Sequence, residues 1–215
     1  MVDAIIANGL SKQFGKTLAL NDVSLTVPAG SVYCVAGPNG SGKTTLLNIL
    51  SGSLRPTSGS LSVHGSSGYC HQNPQLYPDL TVFQNLVLFS EMLSASREKM
   101  ENAISRLGLG ELLKKTPSEL SSGTKKKVEL AISILPDPEI VFLDEPTTGL
   151  DRMGAEEFLS LIKNFPGTKT LVIATHQLSD VENVATHLLV LKRGNKLFEG
   201  TVSGSLEKTY RKKIK

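Results

Sequence analysis

Apolar and polar positions alternate over the first third of the chain in a way that predicts β-structure. Residues 3–13 and 20–27 have the short runs and the period-two alternation typical of strands, and 31–37 is almost continuously apolar. A continuous apolar run is typical of a strand buried on both faces of a sheet. We therefore expect an antiparallel part over about 1–30, followed by a central buried strand.

A helix and then a longer helical region follow that strand. Apolar residues between 46 and 50 share one helix face that Gly52 can end, and 53–70 is rich in Ser and Gly with one short strand around Leu61 and Val63. From about Thr81 to Ile134 the apolar positions recur at helical spacing. This middle part is predicted to be a helical insert.

Strands return in the last third. Apolar runs at 140–143 and 171–174 are separated by a helical pattern over 155–165, and 187–200 reads as a hairpin turning at Gly194-Asn195. Strands that alternate with helices favour βαβ units and a parallel sheet. The predicted fold class is α/β, in one domain over 1–215: an antiparallel β part (about 1–30), a core with a mainly parallel sheet (31–72 and 136–215) and a helical subdomain (73–135).

Composition excludes some classes of protein. The 215 residues are 40% hydrophobic and 20% charged, which fits a folded globular chain rather than a disordered one. No apolar run approaches the roughly 18–20 residues that cross a bilayer, and the first residues lack the zones of a signal peptide. We therefore expect neither a membrane span nor an export signal.

Net charge and its distribution bear on the partners. The formal charge is +3, with 5% aromatic residues and no Trp, so we expect no nucleic-acid partner. Five cations lie in the last eight residues, and without them the remainder has a charge of 3 − 5 = −2. The cations are Lys208, Arg211, Lys212, Lys213 and Lys215. Two interpretations stay open: a solvated, frayed terminus, which is favoured, or contact with an anionic membrane surface.

The most specific pattern is a glycine-rich loop between the central strand and the first helix. Residues 37–44 match G-x-x-x-x-G-K-[ST], and Thr45 follows them. The predicted nucleotide-binding residues are Gly37, Pro38, Asn39, Gly40, Ser41, Gly42, Lys43, Thr44 and Thr45. Glycines let backbone amides approach a phosphate, the helix N-terminus attracts the anion, Lys43 can reach the outer phosphates, and Thr44 can ligate Mg²⁺.

Two carboxylates end the strand predicted over 140–144. Asp144 and Glu145 lie where the carboxyl end of a parallel strand faces the phosphate loop. Asp144 is a candidate Mg²⁺ ligand, and Glu145 is placed to polarise an attacking water. Taken alone, the pair could equally be the acidic turn that ends a strand.

With these motifs the chain resembles the nucleotide-binding subunit of an ATP-binding cassette (ABC) transporter over nearly its whole length. The phosphate loop and Ile140–Glu145 resemble the Walker A and Walker B motifs of that family, and four further features occur in the family's order. They are Gln72 at the Q-loop position, Leu120-Ser121-Ser122-Gly123-Thr124 at the signature, Thr148-Gly149-Leu150-Asp151 at the D-loop and His176 at the switch position. In isolation Gln72 would be an ordinary loop residue and His176 an ordinary strand-end histidine.

The resemblance implies a role for each of these residues. It implies a P-loop NTPase core that takes ATP and Mg²⁺, with Gln72 contacting the metal and the attacking water and His176 contacting the γ-phosphate. Phe14 matches the aromatic residue that stacks on adenine in the family. The implied catalytic residues are thus Glu145, His176 and Gln72, and the implied metal ligands are Thr44, Gln72 and Asp144.

The signature implies a second subunit. In the family, residues at the positions of Ser121 and Gly123 contact ATP held by the other cassette, so we expect a homodimer or heterodimer closing around two ATPs. The sequence departs from the common Leu-Ser-Gly-Gly-Gln at Ser122 and Thr124. Three lysines follow at 125–127, either as a solvated charged face or as an aid to ATP attraction or partner contact.

The function implied is MgATP hydrolysis by the energising subunit of an ABC membrane transporter. Its other partner would be a separate transmembrane permease, which places the chain in the cytoplasm, peripherally on the cytoplasmic face of the cell membrane. The short connection between Val63 and Gln72 and the lack of a C-terminal regulatory domain look similar to compact exporter cassettes, so we expect export rather than import.

Two alternatives remain at this point. A non-transport ABC ATPase of DNA repair, chromosome organisation or translation would carry a long coiled coil or two cassettes, but only 76 residues separate Thr44 from Ser121 and they show no sustained heptads. A small-molecule kinase on a P-loop fold would explain the phosphate loop but not the signature, the D-loop or His176.

Overall fold

The computed structural model describes residues 2–163, 165, 169–202 and 204–214. Met1 and Lys215, which end the predicted ranges, lie outside this part, as does Asn164 in the predicted helix over 155–165. The strands are β1 (Asp3–Phe14), β2 (Thr17–Pro28), β3 (Val32–Ala36), β4 (Ser58–Val63), β5 (Ser67–Cys70), β6 (Ile140–Asp144), β7 (Thr170–Thr175), β8 (His187–Lys192) and β9 (Asn195–Thr201). The helices are α1 (Lys43–Leu50), α2 (Val82–Met92), α3 (Arg97–Arg106), α4 (Ser122–Ile134), α5 (Arg152–Ile162), α6 (Leu178–Val181) and α7 (Leu206–Ile214), with 3₁₀ turns at Gly110–Leu112 and Pro117–Glu119.

Two sheets build the core, and both confirm the predicted fold class. The larger has the order β5-β6-β7-β3-β8-β9, in which only β9 is antiparallel to its neighbour among the described strands. The smaller has the order β2-β1-β4 with antiparallel pairing throughout. The chain is therefore an α/β protein with a mainly parallel sheet and an N-terminal antiparallel sheet.

The central strands are buried on both faces, because each face packs against its own apolar layer. Val32 and Cys34 of β3 belong to one core cluster, together with residues of α4 and α5, whereas Tyr33 and Val35 belong to the other, together with α1 and the antiparallel sheet. The period-two alternation of side chains sends successive residues into opposite layers. A continuous apolar run at 32–36 follows from this two-sided burial.

The middle of the chain is helical, as its periodicity predicts. Thr81 caps α2 with a capping box that includes Gln84, and Ser121 caps α4. Helix α4 lies directly on β5: a Cβ built at Gly68 would come within 1.8 Å of the Ser133 carbonyl oxygen. Only glycine permits this approach, which fixes α4 beside the chain that leaves β5.

Two features of the larger sheet differ from the sequence predictions. Strand β5 was not predicted, since Ser67-Gly68-Tyr69-Cys70 has little apolar alternation, and it forms by parallel pairing with β6. The β8–β9 hairpin turns at Arg193-Gly194 rather than Gly194-Asn195, because Lys192 pairs with Asn195 and the two intervening residues have φ values of 49° and 78°. Positive φ at both central residues is the geometry of a type I′ turn.

The basic C-terminal segment is helical over Leu206–Ile214, so the favoured prediction of a solvated, frayed terminus is wrong in calling these residues frayed, although Lys208, Arg211, Lys212 and Lys213 are solvent-exposed. Leu206 is buried, Arg211 pairs with Glu207 one turn before it, and Lys192 Nζ donates to the Ile214 carbonyl oxygen at 2.6 Å. The Lys192 bond and the burial of Leu206 dock α7 on β8, and the Arg211–Glu207 pair lies within the helix. Among the helices of the described residues, none has both the length and the hydrophobicity that crossing a membrane requires.

Candidate nucleotide site

Three neighbouring parallel strands end at the same edge of the sheet, where the predicted site residues lie. Strand β3 leads into the loop 37–44, β6 ends at Asp144 and β7 ends just before His176. The register pairs Ala36 with Thr175 and Asp144 with Ala174, so the three carboxyl ends lie side by side. Ligand sites of open α/β sheets form at this edge.

The phosphate loop adopts a conformation that two of its glycines require. Gly40 and Gly42 have φ values of 75° and 104°, and a Cβ on Gly42 would lie 2.6 Å from the Ala19 carbonyl oxygen. No side chain caps α1, whose N-cap residue is Gly42. The first amides of α1 and its dipole therefore face the loop, an arrangement that binds anions.

Lys43 is held under the loop by three oxygens. Its Nζ is 2.9 Å from the Gly37 carbonyl oxygen, 3.3 Å from that of Pro38 and 3.1 Å from Glu145 Oε1. The side chain is 6% exposed. An ammonium this buried is stabilised by the paired charge of Glu145 and by the carbonyl dipoles.

Glu145 lies between the phosphate loop and the end of β7. Its Oε2 is 2.8 Å from Nδ1 of His176, and Thr148 Oγ1 donates to the same oxygen at 3.3 Å. The backbone of Glu145 has φ 46°, a left-handed conformation unusual for a non-glycine residue. Such strain is retained where the surroundings over-determine it, and here the Glu145 N–H donates to the Ala174 carbonyl oxygen at 2.9 Å.

Asp144 lies on the side of Thr44. The Thr44 hydroxyl donates to Asp144 Oδ1 at 3.2 Å, and the Tyr69 hydroxyl donates to Oδ2 at 3.4 Å. Burial raises the pKa of Asp144, and the nearby charge of Glu145 acts in the same direction. Tyr69 is a residue of the site that sequence reasoning missed, because β5 was itself not predicted.

The oxygens around Asp144 suit a hard cation. Thr44 and Asp144 present a hydroxyl and a carboxylate to each other, and Gln72 lines the same cavity as Thr44. Mg²⁺ is typically held by a Ser/Thr hydroxyl, one or two carboxylates and phosphate oxygens. The residues present therefore fit the predicted metal.

A cleft of about 860 Å³ gathers most of the predicted residues. Its lining includes the predicted Phe14, Asn39, Gly40, Gly42, Lys43, Thr44, Thr45, Gln72, Glu145 and His176. The lining residues that were not predicted for the site are Thr17, Leu18, Ala19 and Arg193, together with Thr148 of the D-loop. Phe14 is 48% exposed at the rim, where its ring can be covered by a flat base.

The other predicted loop residues are not part of the cleft lining: Gly37 and Ser41 are buried, and Pro38 is exposed. Gly37 and Pro38 hold Lys43 through their carbonyls, and Ser41 is 1% exposed. The Ser41 carbonyl accepts a hydrogen bond of 3.0 Å from the Gly194 N–H at the tip of the β8–β9 hairpin. Gly194 in turn accepts 2.9 Å from the Asn21 N–H of β2, so the hairpin tip joins the phosphate loop to the antiparallel sheet.

The signature residues lie in a second cavity, of about 360 Å³, that shares no lining residue with the first. Ser121 caps α4 by accepting from the Thr124 N–H at 3.2 Å, and the Thr124 hydroxyl lies 2.9 Å from Ser121 Oγ. A Cβ on Gly123 would meet only Leu150 Cδ2, at 4.0 Å. The D-loop residues Gly149, Leu150 and Asp151 line the same cavity.

The three lysines after the signature are not equivalent. Lys126 is 3% exposed, and its Nζ donates to the backbone oxygens of His71, at 3.0 Å, and Gln72. The prediction of a solvated face is therefore wrong for Lys126, and so is its alternative of attracting ATP or a partner. Lys127 pairs with Glu157, and Lys125 is half-buried.

This fold and site define a P-loop nucleotide-binding protein. Comparison with known proteins identifies the family within that class. The profile of the ABC transporter family matches residues 20–148. The lantibiotic transport ATP-binding protein SrtF of Streptococcus pyogenes is 34% identical over 95% of this chain and 95% of its own. The sulfate/thiosulfate import ATP-binding protein CysA of Yersinia pestis is 33% identical over 89% of this chain and 59% of its own.

A solved structure agrees with the sequence matches. The ADP conformation of MJ1267, an ATP-binding cassette of an ABC transporter, superposes with a TM-score of 0.87 at 26% identity, covering 100% of this chain and 98% of that one. The chain belongs to the ABC transporter family and is its ATP-binding cassette, an ATPase subunit. The family match extends past the phosphate loop and so favours a cassette over a P-loop kinase.

The buried charge of Asp144 is expected to destabilise the fold. Asp144→Asn keeps the shape and the acceptor facing Thr44 but removes a buried charge beside Glu145, so we expect it to stabilise the fold by about 1 kcal/mol at pH 7.5. Because burial raises the pKa of Asp144 above that of the unfolded chain, this gain should be fully present above the raised pKa and should shrink as the pH falls toward about 4, near the pKa of an unfolded Asp.

Thermal unfolding without nucleotide or divalent metal, followed by circular dichroism between pH 4 and 8, measures this difference. Asp79→Asn, at an exposed position, is the matched control and should show no such gain. A loss of stability in Asp144→Asn at neutral pH, or a gain that does not depend on pH, would contradict the explanation.

Proposed function

We propose that this cassette hydrolyses MgATP with Glu145 as the group that activates water. The observation that carries the proposal is the position of Glu145: one carboxylate oxygen contacts Lys43 of the phosphate loop and the other contacts His176, inside the cleft that Phe14 borders. The side chain of Glu145 contacts Lys43, His176 and Thr148, and these contacts hold it at the place where the γ-phosphate would lie.

The phosphates of ATP would bind at the N-terminus of α1. Backbone amides of the loop surround the β-phosphate, and Lys43 exchanges its bond with Glu145 for the outer phosphate oxygens. Glu145, released from Lys43, then faces the γ-phosphate and accepts a proton from the water that attacks phosphorus. The products are ADP and inorganic phosphate.

His176 has a complementary role. Its Nδ1 lies 2.8 Å from Glu145 Oε2, an acceptor, so Nδ1 donates there. With both ring nitrogens protonated, Nε2 would donate in turn to a γ-phosphate oxygen. Thr44, Asp144 and Gln72 would hold Mg²⁺, which neutralises charge on the β- and γ-phosphates when bound. Gln72 lines the cleft, from which its amide can also reach the attacking water.

Ser121 and Gly123 would act on the ATP of a second cassette. Their cavity is separate from the cleft that holds Lys43, yet the N-terminus of α4 presents a hydroxyl, a free approach at Gly123 and a favourable dipole for phosphate. Two copies arranged head-to-tail would each complete the other's site. The departures at Ser122 and Thr124 both lie in the lining of this cavity.

Transport would follow from ATP-driven closure and opening of such a pair against a membrane permease on the cytoplasmic face of the membrane. We propose export as the direction, supported by similarity to the lantibiotic transport protein SrtF over 95% of both chains. The similarity to an import protein of sulfate and thiosulfate is the competing observation.

Glu145→Gln should leave ATP binding within about threefold of wild type and lower turnover at least 100-fold, because the amide cannot accept the proton of the attacking water. Release of inorganic phosphate without any acceptor and binding of a fluorescent ATP analogue measure the two effects. Lys43→Ala is the contrasting variant and should lose tight binding, since the phosphates lose their cation. Turnover of Glu145→Gln within twofold of wild type would remove Glu145 from this role.

Gly123→Ala should prevent pairing without harming the single chain. Nothing in the chain itself obstructs the added methyl group, and alanine favours a helix over glycine by up to about 1 kcal/mol, so thermal stability should hold or rise. In the Glu145→Gln background, ATP-dependent dimerisation measured by light scattering should weaken at least tenfold. Gly110→Ala is the control: its added methyl group meets nothing within 4 Å among the described residues, and this variant should dimerise normally. Unchanged dimerisation of Gly123→Ala would contradict the role of the signature.

The transport assignment predicts a stable membrane partner. Purification of the tagged chain from a detergent extract should retain a multi-spanning protein, whose identity fixes the substrate class. In inverted vesicles that carry both proteins, the cassette faces outward, so an exporter should accumulate substrate inside when ATP is added. ATP-driven loss of preloaded substrate would instead establish import.

A further inference from the structure

Two buried charges of α4 lie against the segment that follows β5. Lys126 and Glu129 are one turn apart on α4 and are 3% and 2% exposed. Both direct their polar atoms to residues 71–75, the segment that contains Gln72. Charged residues this buried are rare unless their partners are fixed.

Lys126 contacts the backbone of that segment. Its ammonium donates to the carbonyl oxygens of His71 and Gln72. A charged donor shared by two consecutive carbonyls fixes the orientation of the peptide that joins them. The Cα of Gln72, a residue that lines the cleft together with Lys43 and Thr44, belongs to this peptide.

Glu129 contacts the same segment from one turn further along. Its Oε1 lies 2.8 Å from His71 Nδ1 and 3.3 Å from the His71 backbone nitrogen, and its Oε2 accepts from the Gln75 N–H at 2.9 Å. The carboxylate thus binds the segment on both sides of Gln72. Burial lowers the pKa of Lys126, and the charge of Glu129 opposes that shift and helps keep the ammonium charged.

The rigidity of α4 connects these bonds to the signature. Ser121 and Gly123 lie in the first turn of the helix, and Lys126 follows about one turn later. Close packing at Gly68, whose Cβ would strike the Ser133 carbonyl, holds the helix against β5. A displacement of the signature therefore moves Lys126 and Glu129 together with it.

We propose that Lys126 and Glu129 are positioning residues that fix Gln72 in the nucleotide cleft and tie its position to that of the signature. The inference rests on the proposed function, since it assigns Gln72 its contact with Mg²⁺ and the attacking water. A phosphate seated at Ser121 and Gly123 then biases the geometry around Gln72 of the same chain. The link consists of five contacts from the side chains of Lys126 and Glu129 to residues 71, 72 and 75.

Lys126→Met, which keeps the length but removes the donor, tests the inference. We expect turnover to fall at least tenfold while ATP affinity at the phosphate loop stays within twofold. Lys99→Met is the matched control, because exposed Lys99 also donates to a backbone carbonyl, that of Pro136, but far along the chain from Gln72. This control should retain wild-type turnover.

A double-mutant cycle distinguishes positioning from general support of the fold. If Lys126 acts through Gln72, Lys126→Met should have less than a twofold further effect on turnover in the Gln72→Ala background. A tenfold loss that recurs in that background would overturn the inference, and so would wild-type turnover of Lys126→Met alone. Inactivity of the wild-type chain would instead overturn the proposed function.

Glu129→Gln provides a second, milder variant in case Lys126→Met does not fold. Its amide cannot accept from both sides, so backbone hydrogen exchange over 71–75 should become at least fivefold faster, with exchange at the phosphate loop unchanged. Glu101→Gln, at an exposed position on α3, is the control. Unchanged exchange over 71–75 in Glu129→Gln would overturn the inference independently of ATPase activity.

Discussion

The buried ion pair between Lys43 and Glu145 is the interaction on which the arrangement of the site depends. It joins the helix after β3 to the end of β6, and His176 extends it to the end of β7. Each partner is at most 6% exposed, so neither charge would be tolerated without the other. The same pair keeps the carboxylate beside the phosphate loop despite the left-handed backbone at Glu145.

The surrounding residues show how the site trades stability for chemistry. Burial raises the pKa of Asp144, and among the described residues no cation pairs with it as Lys43 pairs with Glu145. An unpaired buried carboxylate suits a metal ligand better than a group that stabilises the fold. Lys126 and Glu129 are the opposite case, since their charges are matched by fixed backbone groups and by each other. The buried charges of α4 thus hold the segment around Gln72, whereas the buried charge of Asp144 is an energetic cost to the fold.

Local sequence patterns predicted the parts whose chemistry is local. The strand, glycine loop and helix around 32–50 are specified by contiguous residues, and the two carboxylates after β6 are read directly from the chain. Sequence could not predict β5, because its pairing with β6 compensates for a Ser-Gly-Tyr-Cys run without apolar alternation. It also could not distinguish Lys126 from Lys125 and Lys127, since burial of one lysine in three depends on what packs against α4.

The β8–β9 hairpin gives the cleft a fixed frame. Its tip at Gly194 bonds to Ser41 on one side and to Asn21 on the other, and a side chain there would strike the Ala19 backbone at 2.8 Å. Backbone hydrogen bonds therefore join the antiparallel sheet, which carries Phe14, to the phosphate loop, so the two sides of the cleft form one unit. The spacing between the place for a base at Phe14 and the place for phosphates at the loop is thus set by the hairpin tip, and not by either wall separately.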